Sequence, residues 1–223
     1  MRRRQGASPE GRSLPRLHVV TDDSMLARGG WKARAAEVLA TGASGLCLHL
    51  RGPRTDGATL YRLASELISH AHIAGAQLVV NDRLDVALAL RMDGVHLAER
   101  SLPVAASRAL LGADPWLGVS RHDAAEIAAA VREGADYAFL GTIFATPTHP
   151  GVVGMGLEGL SATLSGLGGF PVLGIGGIDP ERVAGVLHAG AYGVAVVRGV
   201  WDARDPVSAV RCYLEAIEEA IQR

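Results

Sequence analysis

The sequence predicts a single (β/α)8 barrel, the TIM-barrel architecture, over residues 17–223, behind an N-terminal tail over residues 1–16. Three observations lead there. A Gly-Ala pair follows a helix-like stretch and precedes an apolar run four times, at Gly42-Ala43, Gly75-Ala76, Gly134-Ala135 and Gly190-Ala191. The spacings of 33, 59 and 56 residues amount to one, two and two units of roughly thirty residues, the size of a βαβ repeat. Eight short apolar runs recur, several without alternation, as strands buried on both faces of a parallel sheet do. Finally, glycine gathers after the seventh and eighth runs. An open doubly wound sheet would carry its glycines after the first, which instead ends in Val20-Thr21-Asp22-Asp23.

The elements follow in order. The tail opens with Met1-Arg-Arg-Arg4 and has no apolar stretch behind the arginines. It is expected to be disordered and is not a secretory signal. The first strand is expected at Leu17–Thr21 and the second at Gly45–Leu50, after the left-handed helix stop that Gly42 allows. The third is expected at Leu78–Asn81 and the fourth at Gly94–Leu97, with a helical run through Leu84, Val86 and Leu88 between them. The fifth, Trp116–Ser120, leads into Asp123-Ala-Ala-Glu126, the spacing of a capping box. The sixth, Tyr137–Gly141, is followed by a loop to Gly156 rich in Gly, Pro and Thr, read as a lid over the mouth. The seventh is Val172–Ile175, and Asp179-Pro180 opens the next helix as N-cap and first residue. The eighth is Gly193–Val197. Asp205-Pro206 then opens a last helix with Val207, Val210, Leu214, Ile217 and Ile221 expected on one buried face.

Composition removes several classes of function. With 48% hydrophobic and 20% charged residues the bulk of the chain is not disordered. A net charge of -1, from 22 basic and 23 acidic residues, argues against a nucleic-acid partner. No apolar run reaches the roughly 18 residues of a membrane span, so no membrane partner is expected. Cys47 and Cys212 cannot staple a chain of this size; both are read as buried small hydrophobes in a reducing, cytoplasmic setting.

In such a barrel the chemistry sits where the strands end. Those ends carry Thr21-Asp22, His49, Arg51, Asn81-Asp82, His96, Ser120 with His122, the loop with Thr146, Thr148 and His149, Gly174–Gly177 and Arg198-Gly199. Gly176, Gly177, Arg198 and Gly199 form a candidate phosphate cradle, with glycine N–H groups near the ligand and a guanidinium able to fork onto its oxygens. Thr146 and Thr148 offer hydroxyls from the lid, and Arg51, Asn81 and Ser120 stand among the substrate-binding candidates. Asp82 either supplies a carboxylate to Mg²⁺ or caps the helix behind it. His49, His122 and His149 are candidate acid/base groups, or structural hydrogen-bonding groups. His49 shares the inward face with Arg51, one layer deeper, and the neighbouring guanidinium is expected to disfavour its charged form.

These residues resemble the thiamine phosphate synthase family and its relative, the thiazole tautomerase, from Leu17 to about Arg211. The resemblance lies in the order and spacing of Leu17-His-Val-Val-Thr-Asp-Asp23, Leu48-His-Leu-Arg51, Val80-Asn-Asp-Arg-Leu-Asp-Val-Ala-Leu88, Asp93-Gly-Val-His-Leu97, Gly118-Val-Ser-Arg-His122, Gly174-Ile-Gly-Gly177 and Gly193-Val-Ala-Val-Val197. It implies a thiazole phosphate ligand. In the synthase a pyrimidine pyrophosphate is joined to that thiazole with Mg²⁺, and pyrophosphate leaves. This chain departs from the synthase pattern at three places: His49 and Pro53 replace a glutamine and a lysine, Ser101 replaces a metal aspartate, and His149 replaces a second lysine. Arg54 and Glu99 offer partial compensation. The tautomerase subgroup shares the Leu-His-x-x-Thr-Asp-Asp start and isomerises by metal-free proton transfer. Its histidine falls on Thr142 here, which leaves His49, His122 and His149 as alternatives. The sequence therefore leads to an expected tautomerase-type enzyme needing no metal. The synthase, with Asp82 on Mg²⁺, is the alternative, and a non-catalytic phosphate-binding regulator is the third reading.

Overall fold

A computed structural model describes residues 13–146 and 151–222. Eight parallel strands close one barrel in sequence order: β1 (Leu17–Val20), β2 (Leu46–Leu50), β3 (Gln77–Asn81), β4 (Gly94–Leu97), β5 (Trp116–Arg121), β6 (Tyr137–Leu140), β7 (Val172–Ile175) and β8 (Gly193–Val196). The helices are α1 (Asp23–Leu26), α2 (Trp31–Gly42), α3 (Gly57–Ala74), α4 (Leu84–Leu90), α5 (Val104–Leu111), α6 (Ala124–Glu133), α7 (Gly156–Leu164), α8 (Pro180–His188), α9 (Arg198–Trp201) and α10 (Pro206–Gln222). The predicted fold class is the observed one, with α1 and α9 as short extra turns after β1 and β8.

The apolar runs lack alternation because both faces of every strand are covered. Along β2, Leu46, Leu48 and Leu50 pack outward among the helices, while His49 turns into the barrel and meets His18 of β1. The interior is filled by a smaller cluster that includes Val20, Trp116, Tyr137, Phe139, Leu173 and Ala195. Gly118 makes room there: a Cβ at this position would collide with the Tyr137 ring.

The barrel begins earlier than expected. Leu14 is 2% exposed and packs into the interior cluster. Tyr192 Oη donates to its carbonyl at 2.6 Å, Arg16 donates to the Tyr192 carbonyl, and Gln77 Nε2 donates to the Ser13 carbonyl at 3.1 Å. Residues 13–16 thus close the lower end of the barrel and are not a tail. The remainder of the expected tail lies outside the described residues.

The helix signals hold with small shifts, except at Gly42, which ends α2 in a right-handed conformation (φ -76°) because the left-handed turn falls on Ala43 (φ +42°). Asp123, Asp179 and Asp205 accept backbone N–H groups at the starts of α6, α8 and α10. The Glu126 carboxylate reaches the N–H of His122 at 2.9 Å, one residue before the position a capping box would use. On α10 the buried stripe is Val210, Tyr213, Ile217 and Ala220, whereas Ile221 is 53% exposed. Cys212, on the same helix, is exposed rather than buried. No helix among the described residues is long and apolar enough to cross a membrane.

Candidate active site

The carboxyl ends of the strands are tied together first by β1. The Thr21 hydroxyl accepts from the Arg51 N–H at 2.9 Å. Asp23 accepts from the N–H of Arg54 at 3.0 Å and from the Thr55 hydroxyl at 2.8 Å, fixing the loop after β2. Arg54, expected to compensate for a missing lysine, is 86% exposed and pairs with Asp23 instead.

Two cavities open on opposite sides of this mouth. One, of about 390 Å³ over β2–β4, is lined by Arg51, Asn81, Asp82, Arg83, Arg100 and Ser101 with neighbouring loop residues. Asp82 sits at φ +63°, a left-handed conformation that aspartate tolerates. Its carboxylate accepts from the Ala98 N–H at 2.8 Å and from the Ser101 hydroxyl. Asp82 is therefore not the helix cap; it bridges the β3 and β4 loops. Glu99, the expected substitute for the missing aspartate, lies 3.8 Å from His122 on the exposed rim. The residue beside Asp82 is Ser101. A carboxylate with a hydroxyl beside it fits a hard cation that takes oxygen ligands and leaves most positions to phosphate and water. Arg83 is forked onto Asp85. Arg51 and Arg100 line the same cavity.

The second cavity, of about 280 Å³, is lined by Thr146, Ile175–Ile178 and Ala195–Gly199. Gly176 and Gly177 have φ of +103° and +64°, and a Cβ on Gly177 would stand 2.7 Å from the Ala145 carbonyl. Only glycine fits that turn without strain. Arg182 donates to the Gly177 carbonyl at 2.6 Å and stacks over Phe144 at 4.7 Å, bracing the loop. The short helix α9 starts at Arg198, in the place where barrels commonly bind phosphate.

Below the mouth lies a layer of His18, His49, His96 and Phe139, with ring centroids 4.1–5.4 Å apart among His18–His49, His49–His96, His18–Phe139, His49–Phe139 and His96–Phe139. His49 is fully buried. Its Nε2 lies 2.8 Å from His18 Nδ1, and its Nδ1 lies 3.1 Å from the Asn81 side-chain amide. Burial holds its pKa down at about 4. The predicted direction of the shift is the observed one, but burial causes it, not Arg51. His18 and His96 are likewise pushed well below the ordinary value, first by burial. His96 Nε2 lies 2.9 Å from the Ser120 hydroxyl at the mouth. The alternation along Leu17-His-Val-Val already turns His18 inward, which is the signal that would have found it.

His49 is thus sealed beneath the cavities rather than exposed to a ligand, and the acid/base role expected of it is withdrawn. His122 sits on the rim, with its side chain 61% exposed, and donates to the Gly141 carbonyl at 3.2 Å. Thr148 and His149 lie outside the described residues.

The buried imidazoles carry a pH prediction. Each is neutral in the folded barrel and charges readily once unfolded, so the unfolded state binds more protons between the two pKa values. Stability is full above about pH 6.5 and falls as pH drops toward 4, by roughly 3 kcal/mol for His49 alone. Thermal melts should show Tm falling steadily from pH 7 to pH 5, and a flat profile would contradict the neutral layer.

A closed parallel barrel with polar side chains gathered at the carboxyl ends of its strands is the architecture of a barrel enzyme. The profile of the thiamine monophosphate synthase family matches residues 17–200. The chain is 41% identical over 197 residues to the thiamine-phosphate synthase of Chloroflexus aurantiacus, covering 88% of this chain and 89% of that one. It is 41% identical over 184 residues to that of Moorella thermoacetica, covering 82% and 86%. A thiamine phosphate pyrophosphorylase structure from Pyrococcus furiosus superposes with a TM-score of 0.79 at 29% identity, over 92% of this chain and 96% of that one. The chain belongs to the thiamine monophosphate synthase family, and it is an enzyme of the transferase type.

The expected tautomerase-type proton transfer is overturned by this finding. The relatives are synthases, and none of those named here is a tautomerase or a non-catalytic regulator. The three motif departures lose charge position by position, but the cavity does not: Arg100 and Ser101 enter it from the β4 loop and line it with Arg51 and Asp82.

Proposed function

We propose that this chain joins a hydroxymethylpyrimidine pyrophosphate to a thiazole phosphate and releases pyrophosphate. The observation that carries the reading is the pair of unlike cavities facing one mouth. One is ringed by Arg51 and Arg100 around Asp82; the other is built on Gly176, Gly177 and Arg198. Two phosphorylated substrates of different charge need two such places. The carbon–oxygen bond to pyrophosphate breaks as the thiazole nitrogen bonds to the same carbon, so charge grows on the leaving group. Arg51 and Arg100, which line that cavity, neutralise that charge. Asp82, with Ser101 beside it, holds Mg²⁺, which when bound supplies further charge stabilisation to pyrophosphate. Asn81 and Ser120 orient the pyrimidine ring from below. Gly176, Gly177, Gly199 and Arg198 hold the thiazole phosphate, and Thr146 closes over it. The two free thiols, Cys47 and Cys212, support a cytoplasmic setting.

The reading is tested in a bacterium lacking its own thiamine-phosphate synthase. Expression of this chain should restore growth without added thiamine, and failure of a well-expressed, folded chain to do so counts against it. Within the cradle, Arg198→Ala should weaken thiazole phosphate binding about ten- to hundredfold, the loss of one charge-assisted hydrogen bond. Tm should change little, because the side chain is half exposed. Unchanged affinity by calorimetry would remove Arg198 from the site.

A further inference from the structure

We infer that His18 and His49 are positioning residues that fix which atom of the Asn81 amide faces the barrel mouth. The inference rests on the synthase reading only for the identity of the ligand. It starts at the lower end of the barrel, where His18 Nε2 lies 3.1 Å from the Pro15 carbonyl. A carbonyl only accepts, so His18 carries its proton on Nε2. The ring is buried and neutral, which leaves Nδ1 bare, and bare Nδ1 must accept. His49 Nε2, 2.8 Å away, is therefore the donor. His49 is also buried and neutral, so its own Nδ1 is bare. As placed, that Nδ1 faces Asn81 Oδ1 at 3.1 Å, which would set two acceptors against each other. A half-turn of the amide exchanges its oxygen and nitrogen without moving its plane, and the network decides between them. Asn81 therefore donates to His49 through Nδ2, and Oδ1 turns toward the cavity that Asn81 lines with Arg51 and Arg100.

The chain of bonds runs one way, Asn81 to His49 to His18 to Pro15, and it is anchored by a backbone atom that cannot reverse. It places one hydrogen-bond acceptor beside the guanidinium groups of that cavity. A ligand is selected there by a donor, such as the exocyclic amine of an aminopyrimidine. A substituent that only accepts would meet Oδ1 unpaired. The replacement of glutamine by histidine at position 49 is thereby given a use: an imidazole held in one tautomer transmits the orientation set by Pro15.

Two measurements test this. Nitrogen NMR on protein labelled in its histidines, near pH 7, should find both His18 and His49 neutral, protonated on Nε2 and bare on Nδ1. A protonated Nδ1 on His49 would overturn the proposal. This measurement needs no turnover, so it decides the proposal even if the chain makes no thiamine phosphate. The second is a double-mutant cycle. His49→Leu should raise KM for the pyrimidine pyrophosphate about tenfold, the worth of one neutral hydrogen bond, with a smaller change in kcat. In an Asn81→Ala background the same change should raise KM less than twofold, because its effect runs through Asn81. Equal losses in both backgrounds would make His49 merely structural. His49→Gln should restore KM, since its Oε1 can accept from Asn81 while its Nε2 donates to His18. If His49→Leu does not fold, the wild-type tautomers alone decide.

Discussion

Gly177→Ala is expected to cripple thiazole phosphate binding and to lower Tm together. The residue occupies φ +64°, where a side chain costs roughly 1–2 kcal/mol. The added Cβ would also stand 2.7 Å from the Ala145 carbonyl and 2.8 Å from the Phe144 carbonyl, and both obstacles are backbone. The loop after β6 must move, which costs roughly a further 1–3 kcal/mol. At this chain length that amounts to a fall of several degrees in Tm. The same movement displaces Thr146, which lines the cavity with Gly176 and Gly177, so affinity should fall about a hundredfold. Calorimetric titration with thiazole phosphate, alongside a melt, checks both. A variant that binds as tightly as wild type would show that this loop is only a strand-to-helix turn.

Asp82→Asn is expected to have the largest effect on turnover with the least on stability. Asparagine keeps the left-handed backbone at φ +63° and still accepts from the Ala98 N–H through its Oδ1. What it loses is the negative charge, the one carboxylate among the described residues that line the cavity shared by Arg51 and Arg100. Synthase turnover should drop roughly a hundredfold or more, and the Mg²⁺ concentration giving half-maximal rate should rise by a similar factor. Tm should stay within about a degree or two. Near-normal turnover at the same Mg²⁺ concentration would reduce Asp82 to a loop bridge between β3 and β4.

The barrel was legible because its signals are local. Gly-Ala punctuation, apolar runs without alternation and Asp-Pro helix starts each occupy a few consecutive residues, and each maps directly onto an observed element. The cradle was legible for the same reason, since Gly176-Gly177 and Arg198-Gly199 are contiguous pairs at strand ends. The other cavity was only half legible. Arg51 and Asn81-Asp82 end strands and could be read, but Arg100 and Ser101 come from a loop whose path no pattern fixes. Ser101 was visible only as a missing aspartate, not as the hydroxyl bonded to Asp82. Position 49 shows the same limit. Alternation places His49 inward correctly, yet its function depends on His18, 31 residues earlier, and on the carbonyl of Pro15, in a segment read as tail. Pairings between distant strands are set by barrel closure, and sequence periodicity does not carry them.

The central claim is tested most directly by incubating the purified chain with hydroxymethylpyrimidine pyrophosphate, thiazole phosphate and Mg²⁺, and quantifying products by mass spectrometry and a pyrophosphate assay. The expected result is thiamine phosphate and pyrophosphate in equal amounts, with neither formed when either substrate is omitted. Protein that binds both substrates but releases no pyrophosphate and makes no thiamine phosphate would contradict the account.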